Sequence, residues 1–204
     1  ELGVIKDTAY RQALAERIVV RQDGAGPNPK AAYVAELARQ AAVARFGDVA
    51  YERGITVTTT IIAAEQDAAY ESVRRNVLAY DRRHGYRGPE ARIALPAGLD
   101  EREAAIAATL RKRPAVDGLA PAVVTAASAK RVRALLANGE SVEVTGPGLA
   151  FAASALSAKA KPGVKLAPGA VIRLARPAGG AWTIAQLPEV AAAFVALDTE
   201  TGAY

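Results

Sequence analysis

Along the first half of the chain, apolar positions recur every three to four residues, the spacing of one helix face. Ile5, Tyr10, Leu14 and Ile18 mark a helix over residues 2–21, which Gln22-Asp23-Gly24-Ala25-Gly26-Pro27 breaks. Tyr33, Leu37, Ala41 and Ala44 mark a second over residues 31–46, and Gly47 stands where helices commonly stop. The run Ile55-Thr56-Val57-Thr58-Thr59-Thr60-Ile61-Ile62 is rich in β-branched residues and reads as a strand with Ile55, Val57 and Ile61 on one face. Tyr70, Val73, Val77 and Tyr80 return to helical spacing and predict an amphipathic helix over residues 64–80. Arg82-Arg83-His84-Gly85-Tyr86-Arg87-Gly88-Pro89 ends it and reads as a boundary. Asp100 with Glu103 resembles a capping box for a short helix through Ile106 and Leu110 to about Arg111, closed by Pro114.

From Pro121 the pattern changes to short extended runs. Ala122-Val123-Val124-Thr125 reads as a strand. Arg131 to Leu136 pairs with Ser141 to Val144 across Asn138-Gly139, a strong hairpin signal. Residues 149–156 read as a short helix, then residues 171–174 and 182–185 as two strands joined across Gly179-Gly180. Five short strands with one interposed helix fit a small closed barrel of OB type, so the fold class is α+β. Residues 192–197 predict a further strand and residues 198–202 a turn. The returning strand stops at Tyr204 after barely starting, which leads to the expectation of a fragment.

Composition narrows the chemistry. The 204 residues suit one ordinary domain or two small ones. Absence of cysteine excludes disulfides, thiolate catalysis and Cys-based zinc sites. No apolar run approaches the roughly 18 residues of a membrane span, and Glu1-Leu2-Gly3 is unlike a secretory signal. A net charge of +5 permits weak attraction to nucleic acid, anionic lipid or an acidic partner surface.

Arg53-Gly54-Ile55-Thr56-Val57-Thr58-Thr59-Thr60-Ile61 resembles the strand that opens the transpeptidase region of class A penicillin-binding proteins. Asp81 to Pro89 resembles the point where the 1A type of that family inserts an extra barrel. Trp182 to Pro188 and Val195 to Ala203 are similar to the exit from that insertion and the first hairpin of the transpeptidase sheet. The resemblance implies residues 1–50 as a helical linker from the glycosyltransferase region and residues 51–84 as a strand and helix at the transpeptidase edge. Residues 85–189 would be the inserted OB-like domain, and residues 190–204 the start of the transpeptidase sheet. It further implies a periplasmic location within an inner-membrane-anchored parent, a peptidoglycan glycosyltransferase and serine transpeptidase. Partners would be the parent's catalytic domains and an outer-membrane lipoprotein activator, with no nucleic acid and no cofactor. The family's Ser-x-x-Lys nucleophile is not reproduced. Ser128 and Ser157 have lysine at the second following position, Lys130 and Lys159, while Arg131 and Ala160 stand at the third. Thr201-Gly202 follows Glu200 where the family has lysine, so no catalytic or metal residue is assigned.

The remaining candidates are binding groups. Arg82, Arg83 and Arg87 form one basic cluster and Lys130, Arg131 and Arg133 a second; each suits a partner or polyanion, set against an ordinary solvated surface. His84, the single histidine, fits a helix C-terminus contacting exposed carbonyls better than a general base. Trp182 and Tyr86 invite comparison with OB-fold stacking platforms, which normally present several aromatics. Asp67 and Glu71 read as a hydrated helix face, and Gly24-Ala25-Gly26 lacks the lysine of a phosphate loop. A free-standing OB module binding oligonucleotide or oligosaccharide is the alternative to the synthase segment. Val57, Ile61 and the strand around Val195 are expected to be under-buried in a single copy.

Overall fold

The structure, a computed structural model, describes Thr8, Tyr10, residues 29–177 and residues 179–203. Thr8 and Tyr10 are helical; the rest of the helix expected over 2–21, with the loop at 22–27, lies outside the described residues. The chain divides into two compact units, one reaching to Tyr70 and resuming at Val195, the other Glu71–Phe194. No helix among the described residues is long and apolar enough to cross a membrane.

In the first unit, a turn of 3-10 helix at Pro29–Ala31 leads into α1 (Ala32–Phe46), followed by α2 (Val49–Glu52) and the start of α3 (Ala63–Arg83). Gly47 stops α1 as expected: at φ +62 it donates its N–H to the Val43 carbonyl. Gln66 donates to the Lys30 carbonyl at 2.7 Å, and Lys30 meets Asp67 at 3.9 Å. The strand expected over 55–62 does not form. The run joins no ladder among the described residues and bends at Thr60, because β propensity favours a strand backbone but a strand needs a neighbour's edge. Val57 is accordingly 46% exposed, while Ile61 is half-buried. The expected strand over 192–197 fails likewise, with Val195 75% exposed. The turn after it is well made. Asp198 accepts from the Thr201 and Glu200 N–H groups and the Thr201 hydroxyl, and its own N–H reaches the Ala203 carbonyl.

The second unit is an antiparallel sheet of β1 (Ala91–Arg92), β2 (Leu119–Ser128), β3 (Arg131–Leu136), β4 (Ser141–Thr145), β5 (Ala170–Ala175) and β6 (Thr183–Ala185). The order is β1-β5-β2-β3-β4, and β6 shares with β1 the outer edge of β5. The expected hairpins are present: Leu135 faces Ser141, and Leu174 faces Ile184. The expected closed barrel is not. No ladder joins β4 back to β6, and the sheet stays open. A 3-10 helix, Gly146–Leu156, lies against both edges instead. At Gly148 the approach is tight: a Cβ there would run into the Trp182 carbonyl beside β6 and lie 2.8 Å from Val144 Cγ1 of β4.

Burial follows from this layering. Leu149, Ala152 and Ala155 of the 3-10 helix join Val124, Val132, Val144, Ile172, Leu174 and Ile184 in one core. On the opposite face of the sheet, α4 (Leu99–Arg111) sets Ile106 and Leu110 on Val123 and Val171. Strands β3 and β4, covered on one side, alternate buried and exposed residues. Much of β2 and almost all of β5 are covered on both sides and read as near-continuous apolar runs. The expected capping box is corrected: α4 begins after Gly98, with no side-chain cap bond, so Asp100 lies inside the first turn. Its charge still complements the helix dipole there.

Candidate binding interface

One buried and fully engaged polar group is Asp81, in the last turn of α3 and 4% exposed. A carboxylate at a helix C-terminus opposes the helix dipole, and a buried one must be paired. Both requirements are met from a distant part of the chain. Oδ2 accepts from Gln186 Nε2 at 2.7 Å; Oδ1 accepts from the Arg87 guanidinium at 2.7 Å and from the Glu189 N–H at 3.4 Å. Arg87 also pairs with Glu189 at 3.0 Å and donates to the Leu187 carbonyl at 2.7 Å. Gln186 completes the ring, accepting from the Arg87 N–H and donating to the Gly85 carbonyl, both at 3.0 Å. Gly85 takes φ +86, which lets the chain reverse directly after α3. Burial alone would raise the Asp81 carboxyl, but the bonds from Arg87 and Gln186, the Arg87 charge and the Glu189 N–H outweigh it and hold it below its ordinary value.

A second buried charge supports the sheet. Arg173 of β5 is 4% exposed; it forks onto Glu90 at 2.6 and 3.2 Å and donates to the Pro114 carbonyl at 2.6 Å. Strand alternation would have placed this arginine outward.

The basic residues singled out by the sequence go separate ways. Arg87 is consumed in the clamp. Arg83 lies over the Tyr80 ring at 5.6 Å and Arg82 over Phe151 at 5.1 Å. Lys130 occupies the tight turn between β2 and β3. Arg131 and Arg133 flank Glu143 of β4 at 3.9 and 2.9 Å, which partly neutralises that strip.

Arg82 instead shares a cleft of about 430 Å³ with two arginines the sequence reading passed over, Arg74 and Arg176. Its walls are α3, the Gly118-Leu119 turn, Phe151 and the β5–β6 hairpin. Arg74 donates to the Asp117 carbonyl through Nε at 3.1 Å and through Nη2. Arg176 lies over Trp182 at 5.5 Å, with Nε donating to the Gly180 carbonyl at 3.0 Å. Among the described residues, neither Arg82 nor Arg176 forms an ion pair with a carboxylate. The aromatics read as possible platforms are occupied: Tyr86 is buried edge-on against Phe151, and Trp182 is half-buried beneath Arg176.

Nucleophile and base candidates serve local structure. Ser128 Oγ donates to the Arg131 carbonyl and accepts the Arg131 N–H, both at 3.1 Å; Ser157 Oγ accepts the Lys159 N–H. His84 Nδ1 lies 2.9 Å from the Tyr80 carbonyl, as expected of a helix-terminal histidine. Among the described residues, no group of three or more His, Asp or Glu side chains is placed to hold a metal ion.

Residues 86–190 match the family described as penicillin-binding protein OB-like domain. Over its whole length the chain is 33% identical to penicillin-binding protein 1A of Pseudomonas aeruginosa, and over 98% of its length 35% identical to that of Escherichia coli. The chain belongs to the penicillin-binding protein 1A family. A crystal structure of penicillin-binding protein 1A from Haemophilus influenzae superposes on 90% of the chain with a TM-score of 0.64 and 31% identity, and the matched part is 26% of that protein. The chain spans about a quarter of the length of these penicillin-binding protein 1A relatives. Its open antiparallel sheet with flanking helices is this family's OB-like domain.

Proposed function

We propose that the chain is a non-catalytic joining and docking segment of a bifunctional peptidoglycan synthase. It would act in the periplasm within an inner-membrane-anchored parent, and its OB-like unit would receive a partner such as an outer-membrane lipoprotein. The observation that carries this reading is the clamp. Asp81, Arg87, Gln186 and Glu189 fasten the chain where it enters the sheet to the chain where it leaves. A domain held at one foot presents its hairpins and outer helix as a rigid body, the form a docking module takes. Serine hydroxyls used up in turns favour the same reading over catalysis. So does the run 55–62, whose β-branched composition suits a strand although it joins no ladder among the described residues.

The test is to replace the stretch corresponding to residues 85–189 with a short linker in a full-length penicillin-binding protein 1A. Fluorescent penicillin should still label the shortened protein, while co-elution with the outer-membrane lipoprotein is lost. Loss of labelling, or unchanged co-elution, would refute the proposal. A complementary control is the chain by itself, which should acquire no covalent label from the same reagent.

A further inference from the structure

We propose that the cleft between α3, Phe151 and the β5–β6 hairpin binds an acidic peptide segment of a protein partner, with Arg82 and Arg176 each receiving a carboxylate. The proposal rests on the docking reading for the partner's being a protein; the anion site itself follows from the geometry. Each guanidinium lies over an aromatic ring, Arg82 over Phe151 and Arg176 over Trp182, which restricts the side chain while leaving N–H donors at its edge. That is the arrangement suited to forked recognition of a carboxylate. Among the described residues, the one acid lining the cleft, Asp81, is already engaged by Arg87 and Gln186.

The surrounding charge points the same way. Residues 71–194 hold eighteen Lys and Arg against ten Asp and Glu, so this unit carries more positive charge than the whole chain's +5. Such a field steers acidic partners toward it. The cleft falls within the range of small-ligand sites, about 300–1,000 Å³, and Leu78 and Ala79 give it an apolar wall for the peptide's other side chains. Single-stranded nucleic acid fits less well, because it needs open aromatic faces for its bases, and both rings here are covered by arginine.

The experiment uses the whole chain and a fluorescein-labelled peptide of alternating glutamate and alanine, followed by anisotropy at about 50 mM salt, where screening is weak. The peptide should bind, its glutamine counterpart should not, and R82Q/R176Q should weaken binding about tenfold. A control variant, K159Q/K161Q/K165Q, removes more charge from the loop at 157–168 and should stay within about twofold. The variant R82K/R176K, which keeps the charge and loses the fork, should bind about threefold more weakly with an unchanged melting temperature. The proposal is overturned if the lysine control weakens binding as much as R82Q/R176Q, or if the lysine-for-arginine variant binds as tightly as the unaltered chain. It is equally overturned if a muramyl tripeptide or single-stranded DNA is preferred to the glutamate peptide. Should the deletion in the full-length relative abolish partner capture while R82Q/R176Q leaves peptide binding intact, docking survives and this cleft assignment falls.

Discussion

Tyr86 carries its hydroxyl into core that offers it nothing to bond with, while its ring packs edge-on against Phe151 at 5.6 Å. A buried, unsatisfied hydroxyl costs stability, so Tyr86→Phe should leave the protein as stable or stabilise it by up to about 1 kcal/mol in urea denaturation. A clear loss would mean the hydroxyl has a partner. Asp81 behaves oppositely. Its carboxyl is held below the ordinary value, so its contribution is fully present above the unfolded value near pH 3.9 and is lost as pH falls through the folded value. Asp81→Asn should therefore cost about 1–3 kcal/mol at pH 7, a difference that narrows in strong acid. Glu36 and Asp198, also held low, are common to both proteins and cancel in that comparison. Denaturation at pH 7 and at pH 2.5 checks the sign; a penalty that grows on acidification contradicts it. At this scale the sequence was partly legible. His84 could be read from its place at a helix end, but the clamp could not, because Gln186 and Glu189 lie more than a hundred residues from Asp81. The available hint was an acid in the last turn of a helix, where the dipole disfavours it.

Elements with a complete local signal were readable: α1 with its glycine stop, the Asn138-Gly139 hairpin, and α4 through Ile106 and Leu110. Those requiring a distant edge were not. The run 55–62 has the composition of a strand and no ladder among the described residues, and β1, with two residues, was too short to leave a pattern. Backbone amides of residues 55–62 should therefore exchange with solvent far faster than those of β2 and β5; equal protection would show that a ladder exists. The open seam between β4 and β6 was equally hidden, because five strands and a helix fit a closed barrel by count alone. Gly148 gives the seam a test. Gly148→Ala forces a methyl between Val144 and the Trp182 carbonyl and should destabilise by about 1–3 kcal/mol, while Gly139→Ala, in an open turn at φ +82, acts only through backbone strain. Little or no loss in Gly148→Ala would show that the 3-10 helix has room to shift.

For the molecule as a whole, charge and family likeness were legible in the sequence, whereas the distribution of that charge was not. Arg82, Arg83 and Arg87 are neighbours in sequence, yet one faces a cleft, one lies over Tyr80 and one is sequestered by acids. Arg74 and Arg176, a hundred residues apart, share the cleft with the first. The clamp has a topological consequence as well. Asp81 Oδ2 and Gln186 Nε2 are 2.7 Å apart, so the stretch between them is a ring closed by hydrogen bonds and ion pairs, with no covalent bond. Sealing that ring covalently and cutting it at Gly139 should give a circular permutant that folds to the same sheet, with a circular dichroism spectrum and melting temperature near those of the uncut stretch. By the same reasoning, a longer or shorter body could hang from this one foot with little pull on its flanks, since closing a loop costs only slowly more as the loop grows.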